Sequence, residues 1–145
     1  MPEDNETLRR LIPELQLLEG VAEGLRSRIG LVNGAISEFH AATSTIEGLK
    51  KAATGTTILI PIGGGSFIKA KVTDYENVIV NVGAKVSMEK SFDEAREALE
   101  IRIRELEKTR SNFYTQLQET ESNVLKMQNQ VRELSQRLQQ GNGNV

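Results

Sequence analysis

The sequence predicts a mainly helical α+β chain, a long antiparallel coiled-coil hairpin whose arms are joined by a four-stranded head of two β-hairpins. Three observations carry this. Ser91 to Gln140 runs without a Gly or Pro while apolar side chains recur alternately three and four residues apart. Leu8 to Ile46 has the same spacing. Between them the apolar period switches to two, and Gly clusters interrupt it.

The second arm sets the frame. Leu99, Ile103, Leu106, Arg110, Phe113, Leu117, Thr120, Val124, Met127, Val131, Leu134 and Leu138 form one seam, ten of the twelve being apolar. The residues between them are mostly Glu, Arg, Lys, Gln, Ser and Asn, so this helix needs a partner for its single apolar stripe. The first arm supplies it: Leu8, Leu11, Leu15, Leu18, Ala22, Leu25, Ile29, Val32, Ile36, Phe39, Thr43 and Ile46, eleven of twelve apolar. If the chain doubles back, Leu8 faces Leu138, Leu15 faces Val131 and Ile29 faces Leu117, residue numbers that total 146 each time. Phe39 with Leu106 and Ile46 with Leu99 total 145. Unrelated helices have no reason to keep that total constant. At ~1.5 Å per residue each arm is expected to be roughly 65–70 Å long, with both termini at its free tip.

Residues 1–145 are therefore expected to form a single domain: a first arm over 8–54, a head over 55–90, a second arm over 91–140 and a flexible tail over 141–145. Glu3, Asp4 and Glu6 suit the positive end of a helix dipole. Pro13 falls on the outer face of the first arm, where it kinks the helix or marks its ordered start. Gly20, Gly24, Gly30, Gly34 and Gly48 each cost up to ~1 kcal/mol against Ala, so the first arm is expected to be the softer one. They are either neutral residents of a solvated face or a source of compliance. Lys50, Lys51 and Gly55 close the arm in the usual way.

In the head, Thr56 to Ile62, Ser66 to Val72, Asn77 to Val82 and Lys85 to Glu89 read as four strands. Alternation places Ile58, Ile60, Ile62, Ile68, Ala70, Val72, Val78, Val80, Val82, Val86 and Met88 on one wholly apolar face. The other face is mixed, with Lys69, Lys71, Asn81, Lys85, Ser87 and Glu89 beside Leu59, Phe67 and Ile79. No third helix is predicted to cover the apolar face, so the head is expected to bury itself against other heads. Pro61 suits an edge or a bulge. Ser91, followed by Glu94 three residues on, marks the start of the second arm as a capping box.

Composition excludes several classes. Aromatics are 4% and Trp is absent, which argues for an elongated shape without a large compact core. A net charge of −2 provides no field to gather nucleic acid or anionic lipid. The lack of Cys excludes disulfides and thiolate metal sites and fits a reducing compartment. The polar, acidic start is unlike a signal peptide, and no apolar run nears the ~20 residues a membrane span needs, so a soluble cytoplasmic protein is expected.

The run from Ile58-Leu59-Ile60-Pro61-Ile62-Gly63-Gly64-Gly65-Ser66-Phe67-Ile68 through Val78-Ile79-Val80-Asn81-Val82-Gly83-Ala84-Lys85-Val86 to Ser91-Phe92-Asp93-Glu94-Ala95, set between two heptad arms, resembles the alpha class of the prefoldin family, archaeal in type. The resemblance covers essentially the whole chain, and the second hairpin separates it from the single-hairpin beta class. It implies a hetero-hexamer of two alpha and four beta subunits, with hairpins closed into a β-barrel platform from which six arms hang. The implied function is that of an ATP-independent holdase chaperone, which captures unfolded protein and delivers it to a group II chaperonin. No cofactor, nucleic acid or membrane partner is implied. The family's client contacts lie toward the arm tips, which here are Leu8, Leu11, Ile12, Leu15, Leu18, Met127, Val131, Leu134 and Leu138.

Those nine residues have an ordinary alternative as coiled-coil interior; Ile12, beside the seam, is the most informative, and Leu17 and Val21 extend an off-seam stripe. The oligomerisation face is assigned to Ile58, Ile60, Ile62, Ile68, Val72, Val78, Val80, Val82 and Val86. Gly63-Gly64-Gly65-Ser66 reads as a hairpin turn, since no Gly-Lys-Ser/Thr follows it. His40 stands alone and the carboxylates are scattered, so neither a metal site nor an enzyme is expected. Arg110 interrupts the seam as a register-setting residue or one reaching for solvent. The competing function is a structural coiled-coil adaptor or filament-forming scaffold that docks one specific partner.

Overall fold

A computed structural model describes residues 2–52, 54–74 and 76–143. Helix α1 spans Pro2–Lys51 and α2 spans Phe92–Gly143; between them lie β1 (Thr57–Gly63), β2 (Ser66–Lys71), β3 (Asn77–Gly83) and β4 (Val86–Ser91). The chain divides into an arm unit, Met1–Gly34 with Glu107–Val145, and a head unit, Ala35–Leu106.

In the arm unit the heptad pattern becomes burial. Leu11, Ala22, Leu25, Ile29, Leu117 and Leu134 are buried, and the other seam positions are half-buried. Ala22, Leu25, Ile29 and Leu117 form one cluster with Phe113 against it, which brings the expected pair Ile29 and Leu117 together. Polar contacts bracket the seam. Arg26 donates to Glu121 at 2.9 Å and Gln128 to Glu19 at 3.4 Å, pairs that total 147. Arg110 donates to Asn33 Oδ1 at 3.0 Å, totalling 143. The guanidinium thus leaves the seam sideways for a polar partner on the other helix. Pro13 is exposed inside an unbroken α1, so it does not mark the ordered start; on the outer face its missing N–H leaves the seam untouched.

In the head unit Ile46, Phe92, Ala95 and Leu99 form a buried cluster, with Phe39, Ala42, Leu49, Val78 and Val80 packed on it. Ile46 and Leu99 meet as their numbering predicts. Ion pairs between Arg96 and Glu47 and between Lys50 and Asp93 flank the cluster, and the Arg102 guanidinium sits 5.8 Å from the centroid of the Phe39 ring. Ser91 Oγ accepts from the Glu94 N–H at 3.1 Å, the N-cap expected for α2. That helix continues through Gly143, beyond the Gln140 end expected for the second arm. The remainder of the expected tail, Asn144 and Val145, lies outside the described residues.

The strands pair as two separate antiparallel hairpins, β1–β2 and β3–β4. Each runs one residue beyond the expected end of its first strand, because Gly63 and Gly83 pair with Ser66 and Val86 across a register shift. The last strand extends to Ser91, which pairs with Asn77. Both turns need left-handed backbone. Gly64 and Gly65 adopt φ of 60° and 74° in the first; Ala84 and Lys85, at 50° and 62°, bear side chains in the same conformation in the second. Ahead of β3, Asp74 Oδ1 accepts from the N–H groups of Glu76 at 2.8 Å and Asn77 at 3.1 Å, and these bonds lower its carboxyl pKa.

Two expectations about the head need correction. The alternating face is not wholly apolar, since Lys90 pairs across from Val78 on it. Nor is it wholly uncovered: Val78 and Val80 rest on the cluster formed by the chain's own two helices. Period-two patterning identifies a face without identifying what covers it.

Candidate functional site: apolar surfaces of the head and the arm ends

Two surfaces stand out as places where other chains could be held. The first is the alternating face of the hairpins. Cross-strand pairs Ile60 with Ile68 and Val80 with Met88 place its side chains in facing positions. Ile60, Ile62, Ile68, Val82, Val86 and Met88 are exposed, and Ile62 keeps 60% of its surface in water. Ile58, Val72, Val78 and Val80 are half-buried at the other end of the hairpins. The face therefore grades from an anchored base to a free apolar end toward the turns. Isolated two-stranded hairpins are marginal in water, and six large apolar groups left on two of them form a surface suited to burial against other strands.

The second surface is the terminal end of the arm unit. Leu11 and Leu134 are buried there, and Leu8, Leu15, Leu18, Met127, Val131 and Leu138 are half-buried. Only Ile12 among the nine sequence-assigned residues is exposed, at 44%. The seam residues thus pack against each other in this state. Exposed apolar groups stand off the seam instead: Leu17 at 71%, with Val21 and Leu125. Leu17 and Val21 line a shallow groove with Gln16, Gly20, Gly24, Leu25, Arg28 and Gln116, where absent side chains at the two glycines open space. Leu31 and Leu125 went unnoticed in the sequence, although an apolar residue at an outward heptad position was a readable signal.

Other chemistry finds little support. Among the described residues no group of three or more His, Asp or Glu side chains is placed to hold a metal ion. Gly63 to Gly65 link β1 to β2 and precede no helix. His40 is exposed on α1. Among the described residues no helix is long and apolar enough to cross a membrane. The displaced carboxyl groups belong to structural contacts: Glu47 is held low first by its hydrogen bond from Arg96, and Asp93 by that from Lys50.

Comparison with known proteins agrees with this layout. Residues 18–139 match the Prefoldin family, described as prefoldin subunit. The chain is 43% identical over 105 residues to prefoldin subunit alpha 1 of Thermococcus kodakarensis, covering 72% of each chain. It is 34% identical over 138 residues to prefoldin subunit alpha of Pyrococcus horikoshii, covering 94% of this chain and 93% of that one. Among solved structures, a filamentous prefoldin from Methanocaldococcus jannaschii superposes with a TM-score of 0.69 at 26% identity, over 78% of this chain and 93% of that one. Two heptad helices joined by two β-hairpins, with this extent of likeness to archaeal alpha subunits, establish that the chain belongs to the prefoldin family of chaperone subunits.

Proposed function

We propose that this chain is the alpha subunit of an ATP-independent holdase, which joins beta-class prefoldin subunits through its head and holds non-native polypeptide with its arms. The observation that carries the reading is the exposed apolar end of the hairpin face, in a chain that matches archaeal alpha subunits over nearly its whole length. Burying Ile60, Ile62, Ile68, Val82 and Val86 among neighbouring hairpins would contribute about 25 cal/mol per Å2 of apolar surface, offset by the cost of association. Two alpha and four beta subunits closing the hairpins into barrels would satisfy that face and the strand edges together.

The arms do the holding. Seam residues Leu8, Leu11, Leu15, Leu18, Met127, Val131, Leu134 and Leu138 become available when the terminal turns fray, and Ile12 is open already. Met127 adapts to irregular apolar segments. Each contact is weak, and several arms on one client supply the affinity without nucleotide. The client then passes to a group II chaperonin in the cytoplasm. The test is aggregation of several unrelated denatured proteins in the presence of the assembled alpha and beta subunits. Removing residues 2–15 and 131–143 is expected to abolish protection while the native mass of the assembly persists. Undiminished protection by the shortened arms would refute the assignment of the arm ends.

A second reading, a filament-forming scaffold, is favoured by one observation, the likeness to a prefoldin described as filamentous. It predicts open-ended assembly of the chain alone and no protection of unrelated clients. Electron microscopy of the chain with and without a beta-class partner separates the two.

A further inference from the structure

Helix α1 carries a second stripe that its own chain leaves open. Glu14, Leu17, Val21, Gly24, Arg28 and Leu31 recur alternately three and four residues apart, which is the spacing of a seam, yet all six are exposed. They belong to the arm unit. Leu17 and Leu31 keep 71% and 74% of their surface in water, and Val21 keeps 46%. One exposed apolar residue is ordinary on a soluble helix, whereas three at seam spacing make a contact surface.

Its charges are placed with the same regularity. The acid, Glu14, and the base, Arg28, stand two heptads apart, about 21 Å along the helix, with Val21 midway between them. Among the described residues neither forms an ion pair, and they are too far apart to meet within one chain. Such a stripe is complementary to its own reverse. Laid antiparallel on a second copy with the axis at Val21, each Glu14 meets the other copy's Arg28, residue numbers that total 42. In the same register Leu17 comes to Gly24, and Leu31 to Arg10, whose aliphatic stem can cover it, both totalling 41. A Cβ at Gly20 or Gly24 would meet nothing within 4 Å, so the backbone there is bare where the other copy's Leu17 arrives. Parallel pairing would instead set Glu14 against Glu14 and Arg28 against Arg28.

We infer that this stripe of α1 docks the same stripe of a second copy, antiparallel about a two-fold axis at Val21, with the two pairings of Glu14 to Arg28 setting the register. The contact lies beside the seam and leaves the packing of α1 on α2 intact. It involves no strand of the head, and it depends neither on the proposed head assembly nor on client holding.

The chain has no Cys, so one introduced thiol reports contact between copies. In the full chain, Val21→Cys should form a disulfide-linked dimer under oxidised glutathione about tenfold faster than Ile12→Cys, whose site is equally exposed, at 44%, but off the stripe. Adding Glu14→Arg or Arg28→Glu to Val21→Cys should slow dimer formation about tenfold. An equimolar mixture of the two charge variants should restore it, because each copy then offers the charge the other lacks. Gly24→Ala should slow it as well, although that substitution favours the helix itself. Val21→Cys that cross-links no faster than Ile12→Cys would overturn the inference, and so would a mixture no better than its components. If a denatured client shields Val21→Cys from a maleimide while no dimer forms, the stripe belongs to clients and the inference falls. The substituted side chains are exposed, so folding should hold; if circular dichroism shows helix lost in a charge reversal, Glu14→Gln and Arg28→Gln repeat the comparison and should each slow the reaction.

Discussion

Ala95 has no exposed surface and lies in a buried cluster with Ile46, Phe92 and Leu99. Ala95→Leu is expected to destabilise by about 1–3 kcal/mol through overpacking, seen as a lower thermal midpoint; an unchanged midpoint would show slack in this cluster. Beside it, the Asp93 and Glu47 carboxyls are lowered by hydrogen bonds from Lys50 and Arg96. A depressed carboxylate stabilises above its unfolded pKa and loses that contribution as pH falls through its folded value. The thermal midpoint of Asp93→Asn should therefore fall less steeply than that of wild type below about pH 4, measured by circular dichroism. The Ser91 cap was legible because a hydroxyl three residues before Glu94 has a fixed use at a helix start. The destination of Arg110 was not legible, since its partner Asn33 is distant in sequence.

At the scale of elements, α1 carries glycines that nothing else occupies. A Cβ at Gly20 or Gly24 would meet no neighbouring atom within 4 Å, and neither residue has left-handed backbone. Replacing both with Ala should stabilise the chain by up to about 1 kcal/mol each, and a melt that fails to rise would show that these positions are strained in some other way. The opposite logic applies to the β3–β4 turn, where Ala84 and Lys85 hold left-handed φ that glycine would hold without steric cost. Lys85→Gly should raise the thermal midpoint, whereas Gly64→Ala in the first turn should lower it. Strand existence and facing were readable from period two. That the two hairpins pair in the same register twenty residues apart was not, because only Gly63 and Gly83 are identical between corresponding strands.

At the scale of the whole molecule, the test of assembly must separate dissociation from unfolding. Val80 packs on the chain's own helices, so a charge there would damage the subunit itself. Ile62→Asp with Val82→Asp is the cleaner pair, both side chains being exposed at the free end of the hairpins. The double variant is expected to keep its helical signal and lose the native mass of the assembly with beta-class subunits. A retained assembly would show that another face makes the contact.

By itself the sequence determined the helical seams, their antiparallel pairing and the alternating face of the strands, because heptad spacing and period two follow from backbone geometry alone. Tertiary structure decided which apolar residues remain available. Val78 and Val80 are claimed by Ile46, Phe92, Ala95 and Leu99, and Leu11 and Leu134 are shut within the seam, while Ile62, Val82, Ile12 and Leu17 stay open. Spacing identifies what a side chain could bury against; only the folded chain determines which of those neighbours arrive.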